Sequence, residues 1–393
     1  ALAGRDVLVV MPTGSGKSLC YQLPALMRDD LTIVVSPLIA LMQDQVEALQ
    51  ARGLGDRVAL VNAQRDAAAN AETLRRAAAG ELRLLYVAPE RFSSPGFLEA
   101  MRATAIGLFV VDEAHCVSQW GHDFRPDYFR LADAARYLGA GSIVASTATA
   151  TPRVALDIAH RLGLREPAKV ATGFDRPNLS FAVARPAGHH KRGLIAQALG
   201  EPDALPAIVY AGTRAGTEEI AEQLAGALGE PVAAYHAGLD RETRAAVQRS
   251  FLADQTRVIV ATNAFGMGVD KPNVRTVIHA SVPASLEAYY QEAGRGGRDG
   301  APARALLLAE NRDKALHVHF IKREEVDERQ PQALYERLRA ACNEKGVYAV
   351  AAADLHGAVD GAPDRLRAVV GHLTRAGAIS PSPSAPDVVA GRV

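Results

Sequence analysis

The 393-residue chain has only three cysteines, a single tryptophan and no net charge. Cys20, Cys116 and Cys342 lie far apart and no pair has CxxC spacing, which argues against a disulfide framework and a four-cysteine zinc site. Each is expected to be a small buried hydrophobe. There is no run of eighteen apolar residues, and no basic start leading into an apolar stretch and a small-residue cleavage site. A cytoplasmic protein without membrane contact is the expectation. Lysine plus arginine equals aspartate plus glutamate at 44 each, so the bulk field does not attract nucleic acid. Any such binding has to rest on local contacts.

Aromatic residues are scarce too: one Trp, ten Tyr and ten Phe. Yet Trp120, Phe124, Tyr128 and Phe129 crowd into the stretch that follows the tetrad 'DEAH'. Gln119, Gly121, His122, Asp123, Arg125 and Pro126 interrupt any helical or strand period there, so the cluster reads as a loop.

The length suffices for two or three domains. Short β-branched runs recur at 7–10, 32–36, 84–89, 108–113 and 142–149, with helix-forming stretches such as 'LIALMQDQVEALQ' (38–50) between them. Continuous apolar runs suit strands covered on both faces of a parallel sheet, and their alternation with helices indicates a wound α/β domain. The layout repeats at 207–210, 232–236, 257–262, 276–280 and 305–309. Even the first turns correspond: Thr13 and Gly16 match Thr213 and Gly216, but Thr217 stands where Lys17 does. Two lobes of which one is armed suggest a nucleotide held between them.

'GFDRPNLSF' (173–181) reads as the inter-lobe connection. After about residue 320 strands are expected to stop, and 331–377 reads as helical. Pro363 starts a helix with Leu366, Val369, Val370 and Leu373 on one face, and Gly377 ends it, in the manner of a small helix-turn-helix or winged-helix piece. Residues 380–387, 'SPSPSAPD', are expected to be disordered. The expected domains are 1–172, 173–320 and 321–393.

Three motifs carry chemistry. In 'MPTGSGKS', Pro12, Thr13, Gly14, Ser15 and Gly16 curl the backbone so that its N–H groups face phosphate; Lys17 reaches the outer phosphates and the Ser18 hydroxyl suits Mg²⁺. Met11 stands where the strict pattern wants Gly or Ala. Asp112, at the carboxyl end of a strand, is suited to holding Mg²⁺, and Glu113 to polarising an attacking water; the bland reading is a solvated loop with two acids. 'QEAGRGGRDG' (291–300) places Arg295 and Arg298 among glycines, too glycine-rich for a solvated helical face. A guanidinium there suits a γ-phosphate gathering charge, with Arg298 the expected finger and Arg295 its support.

With 'SPLIALMQDQ', 'YVAPERF', 'STATAT', 'FDRPN' and 'ATNAFGMGVDKPNVR', these motifs occur in an order that resembles the RecQ family of superfamily-two DNA helicases, over residues 7 to about 310. The resemblance implies two tandem RecA-like parallel-sheet domains with a small helical, winged-helix-like C-terminal piece. It implies an ATP-dependent, Mg²⁺-requiring hydrolase moving 3′ to 5′ along single-stranded DNA, acting at duplex junctions in repair or recombination. His115, Thr147 and Thr149 would couple the nucleotide to the lobe interface, and Asp270 and Gln291 would line the cleft. Ser36, Pro37, Arg91, Thr213, Arg214, His236 and Thr262 would lie along the strand's path. Bases would stack on the ring cluster, Trp120 and Phe124 above all, at about 1–3 kcal/mol each without regard to sequence, with Arg125 adding phosphate or cation–π contact. The alternative for that cluster is a buried aromatic core under an irregular loop.

The pattern is broken in places. The family's adenine-reading Gln segment lies upstream of the phosphate loop and is not in this chain, so either the first domain is N-terminally incomplete, as expected, or base selectivity is weakened. The family's zinc module is missing, since only Cys342 lies in that region, and zinc is not expected; His317 and His319 alone are a poor metal pair. Arg365 and Arg367 read as packing plus solvated charge rather than duplex contacts. A bacterial, nucleoid-associated monomer is expected. Two competing readings stay open: an RNA helicase, and an ATP-gated platform that clamps DNA or a partner without stepping.

Overall fold

The computed structural model describes the chain apart from residues 13, 63, 119–125, 174, 187–189, 266–270, 312, 316–317, 319–326, 328, 356, 358, 360–365, 367–368, 371, 375 and 383–387. Two parallel sheets organise it. The first has seven strands: β1 (Val7–Val10), β2 (Leu31–Val35), β3 (Val58–Val61), β4 (Leu84–Val87), β5 (Ile106–Val111), β6 (Ser142–Thr147) and β7 (Ala168–Ala171), in the order β3-β4-β2-β5-β6-β1-β7. The second has six: β8 (Leu179–Ala184), β9 (Ala207–Tyr210), β10 (Val232–Tyr235), β11 (Val258–Ala261), β12 (Thr276–His279) and β13 (Ala303–Leu308), in the order β10-β11-β9-β12-β13-β8.

The apolar runs explain why these segments are central strands. Alternate residues of one strand feed two separate cores: Leu8, Ile33, Val35, Phe109 and Val111 pack on one face, Val7, Val9, Val34, Leu108 and Val110 on the other. In the second lobe Val209, Val260 and Ile278 oppose Ile208, Ile259 and Val277 in the same way. A strand wetted on neither face has no polar alternation to show. Pairing is parallel throughout, so all carboxyl ends in a sheet point one way and the loops that follow them converge.

Three strands of these two sheets, β3, β7 and β8, went unmarked in the sequence. The edge strand β7 exposes Lys169 and Val170, so no continuous apolar run betrays it, and β3 is only 'VALV'. The connection is also shorter than 173–181, because its last residues enter β8 and pair with β13 from Leu179↔Ala303 onward. Cys116 is buried, but Cys20 and Cys342 are only half-buried, which corrects the expectation for those two.

The third unit corrects the expectation that strands stop after about residue 320. The helix Arg329–Ala340 is followed by β14 (Val347–Ala351), and β15 (Ser380–Ser382) and β16 (Val388–Arg392) complete an antiparallel sheet of order β14-β16-β15. Residues 380–382 are therefore strand rather than disordered tail, while 383–387, Pro363, Arg365 and Arg367 fall outside the described residues. 'SPS' has no strand signature; it is held by pairing with β16, whose other edge pairs with β14, far upstream in the chain. Leu366, Val369 and Leu373 do share a core, with Leu334, Leu338 and Tyr348. Among the described residues no helix is long and apolar enough to cross a membrane.

Asp6 fixes the start of β1. Its buried carboxylate accepts from the Ile143 N–H (2.8 Å), the Arg165 N–H (2.6 Å) and the Arg165 guanidinium, tying β1 to the starts of β6 and β7. Burial alone would raise its pKa, but these donors together hold it below the ordinary value. A depressed folded pKa means that its stabilisation is present above the unfolded value and is lost as pH falls through the folded one. Asp6→Ala is expected to cost about 1–3 kcal/mol in denaturant melts at pH 7, with the gap to the parent chain closing at strongly acid pH.

Candidate active site

The loop after β1 turns twice through left-handed glycine, Gly14 at φ +82° and Gly16 at φ +84°, before the helix Leu19–Met27 begins. The Met11 N–H donates to the Thr147 carbonyl (3.1 Å), so the phosphate loop and the end of β6 leave the sheet as one piece. Ser15 Oγ donates to the Pro12 carbonyl, and Ser18 starts the helix, a geometry that presents N–H groups to an anion. Pro12 is buried; Thr13 lies outside the described residues.

The acids follow β5. The Asp112 N–H bonds the Val35 carbonyl (2.9 Å), which keeps this residue in register with the sheet. Its carboxyl is buried, and burial first, then the charge of Glu113, push its pKa up to about 7. A buried carboxylate whose charge is this costly gains from a nearby cation, so Asp112 and the Ser18 hydroxyl fit a hard divalent ion. Glu113 itself is left-handed (φ +47°, ψ +47°), a conformation that costs a non-glycine residue about 1–3 kcal/mol. That turn brings its carboxylate 3.9 Å from Lys17 Nζ and 3.3 Å from His115 Nδ1. His115 Nδ1 lies 2.9 Å from Thr147 Oγ1, which donates to the Thr149 carbonyl (3.1 Å). The three residues expected to couple thus form one buried chain from Glu113 to the end of β6.

The aromatic cluster divides. Trp120, Phe124 and Arg125 lie outside the described residues. Tyr128 is fully buried and its hydroxyl donates to the Asp112 carbonyl (3.1 Å), while Phe129 packs against the first lobe's core under the Arg161 guanidinium (5.0 Å to the ring centre). For these two rings the core reading is the right one. At the other end of the loop, Ser118 Oγ donates to Asp157 (2.7 Å), which also holds Arg161 (2.8 Å). The flanks of 119–125 are therefore held by Asp157 on one side and by the Asp112 carbonyl on the other.

The second lobe brings Arg298 to the first. A Cβ built on Gly14 would stand 3.2 Å from Arg298 Cγ and 3.5 Å from its Cδ, so the stem of Arg298 lies directly on the phosphate loop. Arg295 is buried beside Tyr210, whose phenol is pushed up to about 12, chiefly by burial, and donates to the Phe265 carbonyl (3.0 Å). Gln291 is half-buried in the last turn of the helix Leu286–Ala293. Asp270 lies outside the described residues, but its neighbour Lys271 is anchored to Asp254 (2.8 Å) over the Phe251 ring.

The second lobe's first turn is closed on itself. Thr213 Oγ1 accepts from the Gly216 N–H (3.1 Å), and Thr217 is buried with its hydroxyl on the Thr213 carbonyl (2.8 Å). Among the residues expected along the strand's path, Ser36 follows β2, Arg91 follows β4, Thr213 and Arg214 follow β9, His236 follows β10 and Thr262 follows β11. Thr213 and Arg214 are exposed, and Arg214 lies beside His236 and Gly238. Ser36 and His236 are buried, His236 against Glu218 (3.0 Å), and Arg91 leans on the Phe97 ring. Pro37 is half-buried next to Ser36.

Two residues escaped the sequence reading. Arg176 and Asn178 of 'FDRPN' bind carbonyls of the arginine loop: Arg176 those of Gly294, Gly296 and Gly297, Asn178 those of Gly297 and Ala301. The motif was visible, but nothing local says what it grips. Among the described residues no group of three or more His, Cys, Asp or Glu is placed to hold a metal ion, and His317 and His319 lie outside them.

Residues 1–158 match the family described as DEAD/DEAH box helicase, and residues 191–300 the helicase conserved C-terminal domain. The chain is 42% identical over 334 residues to the ATP-dependent DNA helicase RecQ of Haemophilus influenzae, covering 84% of this chain and 53% of that protein. It is equally identical to RecQ of Bacillus subtilis over 335 residues, 84% of this chain and 56% of that protein. The chain thus spans about half the length of these relatives. Its fold is similar to that of the DUF1998 helicase MrfA bound to DNA and AMPPNP, with TM-score 0.64 and 19% identity over 81% of this chain and 48% of that one. Identity of this extent, carried on two wound parallel sheets with the motifs at their carboxyl ends, makes the chain a member of the RecQ family of superfamily-two ATP-dependent DNA helicases.

Proposed function

We propose that the chain is an ATP-driven motor that moves 3′ to 5′ along single-stranded DNA and opens duplex at a junction, in repair or recombination. The observation that carries this reading is the stem of Arg298, from the second lobe, resting on Gly14 of the first lobe's phosphate loop, in which Lys17 also faces Glu113. A triphosphate bound there would be held by one lobe and completed by the other, so turnover would report lobe closure.

The backbone N–H groups of residues 14–18 bind the phosphates, and Lys17 meets the outer ones. Mg²⁺, when bound, neutralises the phosphate oxygens; Asp112 and Ser18 would hold it. Glu113 takes up the attacking water, its carboxylate aimed by the left-handed turn. Arg298 supplies charge to the leaving phosphoryl oxygens, worth about 10³–10⁵ in rate, and Arg295 and Gln291 support it. On the DNA side, Trp120 and Phe124 stack on bases, Arg125 meets phosphate, and Arg214, Thr213 and Thr262 touch the backbone. The loop's pinned ends, Ser118 on Asp157 and Tyr128 on the Asp112 carbonyl, give a short mechanical path from a stacked base to the acids. In this reading the chain acts as a monomer associated with the bacterial nucleoid.

Lys17→Ala and Arg298→Ala are each expected to lower ATP turnover by about 10³ or more while the melting curve stays that of the parent chain. Trp120→Ala is expected to remove most of the DNA stimulation of hydrolysis while weakening DNA binding only by the loss of one stack, about 1–3 kcal/mol. Undiminished stimulation in that variant would refute the stacking route. Strand displacement on a 3′-tailed duplex tests the motor against an ATP-gated platform, which would bind and not displace. Stronger ATPase stimulation by single-stranded RNA than by DNA would turn the assignment to an RNA helicase.

A further inference from the structure

The arginine loop sits in a close-fitting frame. From one side, the Gly297 N–H donates to the Val274 carbonyl (2.8 Å) and the Asp299 N–H to the Pro272 carbonyl (3.1 Å). From the other side comes the connector. Arg176 Nη1 donates to the Gly294 carbonyl (3.1 Å), and Nη2 to those of Gly296 (2.8 Å) and Gly297 (3.0 Å). Asn178 Nδ2 adds bonds to the Gly297 and Ala301 carbonyls, each 2.8 Å. The fit allows no side chain between: a Cβ on Gly297, at φ +60°, would stand 2.5 Å from Asn178 Nδ2 and 2.7 Å from the Ala301 carbonyl oxygen. Leu179, next in the chain, is buried with Ala293, Ala303 and Ala305, so the connector's end, the helix Leu286–Ala293 and β13 share one small core.

Gly294 is the C-cap of that helix, so Arg176 places a cation and a planar donor fork on carbonyls that the helix itself cannot satisfy. The segment between β7 and β8 is the covalent link from one sheet to the other, and relative motion of the lobes has to be absorbed there. Arg176 lies in it, hydrogen-bonded directly to Arg298's own loop.

From this geometry we infer that Arg176, helped by Asn178, is a positioning residue that fastens the arginine loop to the inter-lobe connector, so that lobe closure itself delivers Arg298 to the phosphate loop. The inference rests on Arg298 acting as the finger. It adds that the finger's reach is set at the connector, in residues that touch no substrate. Because the Arg298 stem already lies against Gly14, a displacement of about 1 Å suffices to misplace its guanidinium, and such errors cost about 10²-fold in rate.

The test is steady-state ATPase of the purified chain with saturating single-stranded DNA, for Arg176→Lys, Arg176→Ala and Asn178→Ala. Lysine keeps the positive charge at the helix end but cannot span three carbonyls. Turnover is expected to fall about 10- to 100-fold in both Arg176 variants and less in Asn178→Ala, with KM for ATP within about threefold of the parent. Affinity for ADP with aluminium fluoride should fall in parallel with turnover while affinity for ADP alone holds, since only the transition-state mimic draws on the finger. The double variant Arg176→Ala/Arg298→Ala should be no slower than Arg298→Ala, because the two residues act on one step. Arg176→Lys turnover within twofold of the parent, or losses that multiply in the double variant, overturns the inference. Should Arg176→Ala fail to fold, Arg176→Lys and Asn178→Ala carry the same readouts. A parent chain without DNA-stimulated hydrolysis overturns the functional reading instead.

Discussion

Arg298 laid along Gly14 is the contact on which the rest depends. It requires glycine in the phosphate loop twice over, once for the left-handed turn and once for the space that the arginine stem takes. It also explains why the two lobes need not be alike. The first spends its turn after β1 on an open anion site; the second fills the matching turn with the Thr213 and Thr217 hydroxyls and brings charge from elsewhere in its sequence. In the proposed reaction the groups for phosphoryl transfer come from both lobes.

Around that contact, several buried polar groups hand position from one motif to the next. Glu113 accepts a strained backbone, and the strain turns its carboxylate toward Lys17 and His115; His115 passes on to Thr147, and Thr147 to Thr149. Asp112 is held from both sides, by the Val35 carbonyl through its N–H and by the Tyr128 hydroxyl through its carbonyl. With zero net charge the chain has no bulk field to attract a polynucleotide, which favours the proposed sensing through local contacts of the loop that follows the acids.

Much of this was legible in the residues. The apolar runs of β1, β2, β5, β9 and β11 announce themselves because both faces of each strand are covered. Lys17, Asp112, Glu113 and Arg298 could be proposed from the residues because phosphate chemistry restricts which types can serve, and the structure brings Lys17 to Glu113 and Arg298 to Gly14. What stayed hidden depends on long-range pairing. The edge strand β7 exists only because β1 arrives from far away in the chain, and the short strand at 380–382 is held by its pairing with β16. Tyr128 looked like a stacking ring until its burial and its bond to Asp112 made it part of the core. Arg176 could be read as a linker residue, since its three carbonyl partners lie about 120 positions further on.

The most direct test of the shared site is a crystal structure of the chain with ADP, aluminium fluoride, Mg²⁺ and a short single-stranded DNA. The account predicts Lys17 Nζ and the Arg298 guanidinium both within about 3 Å of the fluoride ligands, with the carbonyls of 294, 296 and 297 still on Arg176. A closed complex in which Arg298 points to solvent, or in which another residue takes its place at the fluoride, would contradict it.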